Sequence, residues 1–195
     1  IVGCTDPNPV VAGRGIRLLR EKGLEVVAGV LRGECERQNE VFFHFMRTKL
    51  PFTVLKYAMT LDGKTATVSG KSQWITGEAA RKRVHEDRGR YMAILTGVST
   101  VLADNPQLTC RIPGGKNPIR VIADTKLRTP LSSTVVQTAR ETPTWIVTAV
   151  SDAGRKKAYE DAGCRVLSVP AKEGELDLQA MMQRLGEEKV DSVMV

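Results

Sequence analysis

The chain alternates between short apolar runs and stretches in which apolar residues recur every three or four positions. The first pattern is that of buried strands and the second that of helices with one apolar face. From Tyr91 onward the alternation is regular. Tyr91–Leu95, Ile119–Ala123, Thr144–Ala149, Cys164–Val169 and Val190–Val195 read as strands. Gly97–Ala103 and Asp152–Asp161 read as helices, and Leu178, Met181, Met182 and Leu185 share one helical face. Strands that alternate with helices in this way predict an α/β domain with a largely parallel sheet.

Upstream the pattern is less regular. Residues 1–29 read as strand, loop, helix, strand: Ile1–Cys4, the turn Asp6-Pro7-Asn8-Pro9, a helix over Arg14–Lys22 closed by Gly23, and Leu24–Val27. Residues 33–48 read as one helix, with Val41/Phe45 and Phe42/Met46 as i,i+4 apolar pairs. The segment Met46–Pro51 is polar apart from its ends and closes in proline, so a boundary is placed there, with units 1–50 and 51–195. Phe52–Met59 is a β-rich run that puts Lys56 inside an apolar strand. Gly77–Arg88 reads as a helix with Thr76 as its N-cap. Both ends of the chain fall inside apolar runs, at Ile1 and at Val193-Met194-Val195, and the chain is expected to be a portion of a longer protein.

Length and composition fit a soluble protein of one or two domains. No run approaches the ~18 apolar residues of a membrane helix, and no signal peptide opens the chain. The formal charge is +7, but the basic residues are spread along the chain apart from Arg81-Lys82-Arg83 and Arg155-Lys156-Lys157. Both clusters lie on predicted helices and read as solvated faces. No nucleic-acid recognition motif accompanies them. A positive field suits phosphorylated small molecules and nucleotide cofactors instead.

The four cysteines, Cys4, Cys35, Cys110 and Cys164, are scattered with no C-x-x-C pair, and His44 and His85 are isolated. No metal site is expected within the chain, and the thiols are expected reduced. Gly13-Arg14-Gly15 lacks the third glycine of a dinucleotide fingerprint, because position 18 is Leu18.

Candidate chemistry concentrates between Thr53 and Arg111. In Ala93–Thr100 a strand ends at Gly97, and Ser99 and Thr100 enter the first turn of a helix. Free N–H groups and hydroxyls there can hold a phosphate, or can simply cap an ordinary strand-to-helix turn. Lys56 must reach solvent, a carboxylate or a ligand. Trp74, in a polar loop, can offer a stacking face to a nicotinamide or pyrimidine ring, or lid a local core. Arg88 and Arg111 flank the Gly97–Asp104 segment and have the fork geometry for phosphate, with surface ion pairing as the alternative. Asp104-Asn105-Pro106 is turn chemistry in its own right.

Taken in order, Leu55-Lys56…Leu61-Asp62-Gly63, Ser69-Gly70-x-Ser72-x-Trp74-Ile75-Thr76 and Thr100-Val101-x-Ala103-Asp104-Asn105-Pro106-x-Leu108-Thr109-x-Arg111 resemble the bifunctional riboflavin-biosynthesis deaminase/reductase family. Asp6-Pro7-Asn8-Pro9, Gly13-Arg14-Gly15, Gly23 and Asn39-x-x-Phe42 resemble the last part of its deaminase domain. The resemblance implies the end of a cytidine-deaminase-like domain over 1–50. Over 51–195 it implies most of a dihydrofolate-reductase-like reductase domain. The implied reaction is NADPH-dependent reduction of the ribosyl group of 5-amino-6-(5-phosphoribosylamino)uracil to ribityl.

Carried over by position, Ala58, Trp74, Thr100, Asp104 and Thr125 fall where the family meets NADPH. Ser72, Arg88, Leu108 and Arg111 fall where it meets substrate, with the arginines suited to its phosphate. Lys56 is a candidate for polarising or protonating the opening ribose ring. The family's zinc-binding deaminase segments would precede Ile1, and its Glu-Gly-Gly-like loop would follow Val195. The expected partner is a small phosphorylated pyrimidine, with no nucleic acid and no membrane, in a cytoplasmic homo-oligomer. Two other readings stay open: a stand-alone reductase of the same fold, and a nucleotide-binding or scaffold protein that lost the activity.

Overall fold

The computed structural model describes residues 1–195. The elements in chain order are Arg14–Glu21 (α1), Arg32–Gln38 (α2), Glu40–Thr48 (α3), Phe52–Val54 (β1), Glu78–Arg90 (α4), Ala93–Gly97 (β2) and Val98–Asp104 (α5). Ile119–Ala123 (β3), Thr134–Gln137 (α6), Thr144–Thr148 (β4), Ala153–Asp161 (α7), Arg165–Ser168 (β5), Ala171–Lys172 (β6), Glu175–Leu176 (β7), Leu178–Glu187 (α8) and Ser192–Met194 (β8) follow. Six strands form one sheet in the order β1-β8-β2-β3-β4-β5, and every pairing in it is parallel. β6 and β7 make a separate antiparallel hairpin. No helix is long and apolar enough to cross a membrane.

The apolar runs that predicted the strands are continuous because both faces of a parallel sheet are covered. Successive residues point to opposite sides. Ile94, Ile122, Ile146 and Met194 therefore join one core with Val98 and Val101 of α5, Val135 and Val136 of α6, and Tyr159 of α7. Their neighbours Ala93, Val121, Val147 and Val193 join the other with Met181 and Leu185 of α8. Each fully buried aliphatic side chain contributes about 1.5–3 kcal/mol. α8 approaches the turn after α3 so closely that a Cβ at Gly186 would collide with the Lys49 carbonyl.

Five sequence expectations need correction. The helix over 33–48 is two helices, divided at Asn39, whose side-chain amide donates to the Cys35 carbonyl at 2.9 Å. A side chain that bonds its own backbone competes with the helical ladder. The strands expected at Ile1–Cys4 and Leu24–Val27 reduce to a single bridge between Val2 and Ala28, since an isolated pairing does not sustain a ladder. The run Phe52–Met59 is a strand over Phe52–Val54, followed by one more backbone bond from the Lys56 N–H to the Val195 carbonyl at 2.8 Å. Lys56 thus lies beyond β1 and is exposed rather than held in an apolar strand. Thr76 does not cap α4. Gly77 takes the N-cap position without a side-chain bond, and the Thr76 carbonyl accepts from Arg81 Nη1. Neither α6 nor the β6–β7 hairpin was foreseen.

One charge lies at the centre of this packing. Arg120 of β3 is fully buried and forms no ion pair, although the Glu141 charge acts on it from a distance. Its Nε donates to Thr144 Oγ1 at 2.9 Å, and Nη1 to Thr138 Oγ1 at 2.8 Å and to the Gln107 carbonyl at 3.2 Å. Nη2 reaches the carbonyls of Val135, Thr138 and Thr142 at 3.1, 3.0 and 2.9 Å. The guanidinium thus ties β3 to β4, to α6 and to the segment after α5. Replacing it with alanine leaves those oxygens unserved and opens a void. Arg120→Ala is expected to cost about 3–5 kcal/mol. Urea denaturation measures it, and a midpoint within error of the wild type would show that the guanidinium network is dispensable.

Candidate functional site

Three stretches far apart in sequence converge on one crevice of about 210 Å³. Lys56 and Ala58 come from the extension beyond β1, and Ser72–Thr76 from the loop before α4. Arg81, Val84, His85 and Arg88 come from α4, and Arg111 from the segment after α5. Arg81, His85 and Arg88 stand at i, i+4 and i+7, so one face of α4 presents all three. The crevice adjoins a shallower groove of about 700 Å³ that shares Trp74, Arg81, His85 and Arg111.

No aspartate or glutamate lines the crevice, and none of Lys56, Arg81, Arg88 and Arg111 is ion-paired. Arg88 spends Nη1 on the Thr109 carbonyl at 3.0 Å, while its buried Nε has no partner at all. Burial, and then the neighbouring Arg111 charge, push the Arg88 pKa down, with Cys110 opposing. A guanidinium stays charged regardless, so the direction of the shift marks a cation lacking an anion. Unpaired, partly buried guanidinium groups around a small space are what a phosphate binds.

His85 lies against Arg111. The Arg111 backbone N–H approaches Nδ1 at 3.3 Å, and its Nε approaches Nε2 at 3.3 Å. A neutral imidazole accepts at one nitrogen only, so it serves one of these donors at a time. Burial first, then the Arg88 and Arg111 charges, hold the His85 pKa below its ordinary value, against a hydrogen bond to the Thr109 backbone that favours the protonated ring.

A second crevice, of about 320 Å³, lies at the carboxyl ends of β2 and β3. Gly97, Ser99, Ala123, Thr125 and Arg128 line it on one side, Glu175, Leu176 and Leu178 on the other. Thr125 Oγ1 donates to Glu175 Oε2 at 3.1 Å. Carboxyl ends of parallel strands are where open α/β sheets hold ligands.

The expected site residues divide accordingly. Lys56, Ala58, Ser72, Trp74, Arg88 and Arg111 share the first crevice, and Thr125 lines the second. Thr100 and Asp104 lie exposed on α5 and line neither. Leu108 is buried in the core at a positive φ of 55°, so its side chain faces neither crevice. Arg81, His85, Arg128 and Glu175 were not singled out as site residues. The i, i+4, i+7 spacing with Arg88 was the signal for the first two. Glu175 had none, because it arrives on the unforeseen hairpin.

The family described as RibD C-terminal domain matches residues 51–195. The riboflavin biosynthesis protein RibD of Actinobacillus pleuropneumoniae is 50% identical over 194 residues, spanning 100% of this chain and 52% of that protein. The protein of the same name from Escherichia coli is 36% identical over 100% of this chain and 55% of its own length. This chain belongs to the RibD family. It spans about half the length of the curated relatives it matches. Among solved structures, a diaminohydroxyphosphoribosylaminopyrimidine deaminase/5-amino-6-(5-phosphoribosylamino)uracil reductase from Thermotoga maritima superposes with a TM-score of 0.83 at 38% identity. It covers 100% of this chain and 52% of its own. A riboflavin biosynthesis reductase from Saccharomyces cerevisiae superposes with a TM-score of 0.58 at 26% identity, over 76% of this chain and 63% of its own.

The state of His85 is measurable. Its folded pKa is below the ordinary value of 6.5, so the unfolded chain binds the proton first as pH falls. The contribution to stability is fully present above about pH 6.5 and is lost as pH falls towards the folded pKa. His85→Gln keeps an acceptor for Arg111 and cannot titrate. Thermal unfolding from about pH 5 to 8 is expected to show the wild type losing Tm relative to His85→Gln below about pH 6.5, with parallel curves above it. Parallel curves throughout would mean that His85 is not held neutral.

Proposed function

We propose that residues 51–195 carry the reductase site of a bifunctional riboflavin-biosynthesis enzyme. The site reduces the ribosyl group of 5-amino-6-(5-phosphoribosylamino)uracil to ribityl with NADPH. The observation that carries this reading is the acid-free crevice in which Arg88 and Arg111 converge, unpaired, beside Trp74 and Lys56. At about 210 Å³ it is small for a whole dinucleotide and suits a phosphoribosyl group. Matches to the RibD proteins run the whole length of this chain, which favours the bifunctional architecture over a stand-alone reductase. In it, 1–50 closes the deaminase-like unit and 51–195 forms the reductase.

The chain's residues then take these parts. Arg88 and Arg111 hold the substrate phosphate, with Arg88 Nε as a donor awaiting an oxygen. Ser72 binds a hydroxyl of the sugar, and the backbone of Leu108 supports the same end. Lys56 Nζ donates a proton to the ribose ring oxygen as the C1′–O bond opens. The exposed Trp74 ring covers the nicotinamide face together with Ala58. The hydroxyls of Ser99 and Thr125 and the Arg128 cation fit the polar and anionic parts of NADPH at the second crevice, with Thr100 and Asp104 on the adjoining helix. NADPH, when bound, supplies the hydride that C1′ receives. A deaminase zinc site belongs, in this reading, to the half of the protein outside this chain. A cytoplasmic homo-oligomer is part of the same proposal, and light scattering of the full-length protein tests its assembly.

Cofactor choice is the first test. The kcat/KM ratio in the full-length protein is expected to favour NADPH over NADH, and a preference for NADH would overturn the assignment.

The arginines provide the second. Arg88→Ala or Arg111→Ala removes a charge-assisted contact worth about 1.5–3 kcal/mol, or about ten- to a hundredfold in substrate affinity. The loss is expected in KM for the phosphorylated substrate, with NADPH binding almost unchanged, and only partial rescue by lysine. It is expected to shrink for a dephosphorylated analogue. Equal weakening of both forms, or a lowered Tm alone, would make these arginines structural.

A further inference from the structure

The loop that carries Ser72 and Trp74 has almost no scaffold of its own. The turns before it are closed by backbone bonds, from Gly63 to Thr60 and from Gly70 to Thr67. From Ser72 to Ile75 no backbone or side-chain hydrogen bond is made. Trp74 is 71% exposed, so burial does not fix its ring either. Apart from the packing of the half-buried Ile75 and Thr76, one polar contact and one cation–π contact tie this segment to the body of the protein, and both come from one side chain. The Arg81 guanidinium lies 4.4 Å from the centroid of the Trp74 ring, and its Nη1 donates to the Thr76 carbonyl.

Arg81 is otherwise uncommitted. Its helix neighbour Arg83 pairs with Glu86 and Asp87, whereas Arg81 has no carboxylate. It stands one turn before His85 and two before Arg88 on the face of α4 that lines the crevice. Its backbone is therefore as fixed as that of the phosphate-facing arginine, while its side chain reaches the other way, to the loop.

We propose that Arg81 is a positioning residue that clamps the Ser72–Thr76 loop and holds the Trp74 ring edge and face in register with the crevice. A planar guanidinium suits this task because it stacks on the indole and still donates in its own plane to Thr76. The ring is thereby pre-oriented before any ligand arrives, and a ligand that stacks on it does not bear the cost of ordering the loop. The proposal rests on the reading of Trp74 as a cofactor contact, and its test separates the two.

The experiment uses the full-length protein labelled with 5-fluorotryptophan, with the Trp74 resonance assigned by its absence in Trp74→Phe. In the ligand-free protein, Arg81→Ala is expected to shift and narrow that resonance, as a released ring would. Arg81→Gln, which can still donate to Thr76 but cannot stack, should give an intermediate shift, and it substitutes for the alanine variant if that one fails to fold. In steady-state assays Arg81→Ala is expected to raise KM for NADPH about five- to tenfold and to raise the substrate KM as well, because the released loop also carries Ser72.

A Trp74 resonance unmoved in both variants overturns the clamp, whatever the kinetics. A rise in substrate KM with the NADPH KM unchanged makes Arg81 a direct phosphate ligand and overturns it too. If the resonance moves but Trp74→Phe leaves the NADPH KM unchanged, the cofactor reading of Trp74 fails, and with it the functional part of the proposal.

Discussion

The buried guanidinium of Arg120 sets the geometry on which the rest depends. A cation without an ion pair survives in a core only if oxygens replace its hydration shell. Its five N–H donors meet six oxygens, so at least one donor is shared. Those oxygens belong to β4, to α6, to the turn after α6 and to Gln107, so none of these can move without uncovering the charge. Burial pushes the Arg120 pKa down, and burial likewise pushes the Cys164 thiol up to about 11, with the Arg120 charge acting against the latter rise. Cys164 is thus a neutral packing group beside the cation rather than its counter-ion.

Through Gln107 this core constraint reaches the candidate site. Four residues further on is Arg111, and between them Arg88 holds the Thr109 carbonyl while Asn117 and the His85 carbonyl hold Cys110. The segment is thus fixed from the core on one side and from α4 on the other. That rigidity lets two like charges, Arg88 and Arg111, sit together without an acid between them. On the far side of the same helix Arg83 forms ordinary ion pairs with Glu86 and Asp87. The contrast within one helix separates a face of ion-paired side chains from a face whose guanidinium groups have no carboxylate partner. Surface pairs such as those of Arg83 contribute little, whereas an uncompensated pair of guanidinium groups persists only when the fold enforces it.

The strands from Tyr91 onward were legible because each is decided locally: five or so apolar residues, bounded by turn chemistry, buried on both faces. The position of β8 between β1 and β2 was not legible, because strand order depends on long-range packing that no local pattern encodes. Beyond Val54 the run keeps one further bond, from the Lys56 N–H to the Val195 carbonyl at 2.8 Å. At the site, Arg88 and Arg111 were visible through motif spacing, and the crevice indeed brings them together. Arg81 was absorbed into a basic cluster read as a solvated face, although the same helical period that places Lys82 and Arg83 outward places Arg81 inward. Leu108 marks the opposite limit. A motif position carries no information about whether side chain or backbone is used, and here the side chain is spent on the core.

The two crevices differ in charge, and that difference follows from how each is built. The first is assembled from one helix face and two loops, and the one acidic residue near that face, Glu78, lines only the adjoining groove, so no carboxylate lies in the crevice itself. The second closes the carboxyl ends of two central strands with a hairpin that brings in Glu175, already engaged by the Thr125 hydroxyl, opposite the cation of Arg128. An acid-free cluster of fixed guanidinium groups selects a compact dianion. A mixed site, with hydroxyls, one carboxylate and one cation, can both accept from ligand hydroxyls and pair a single charge.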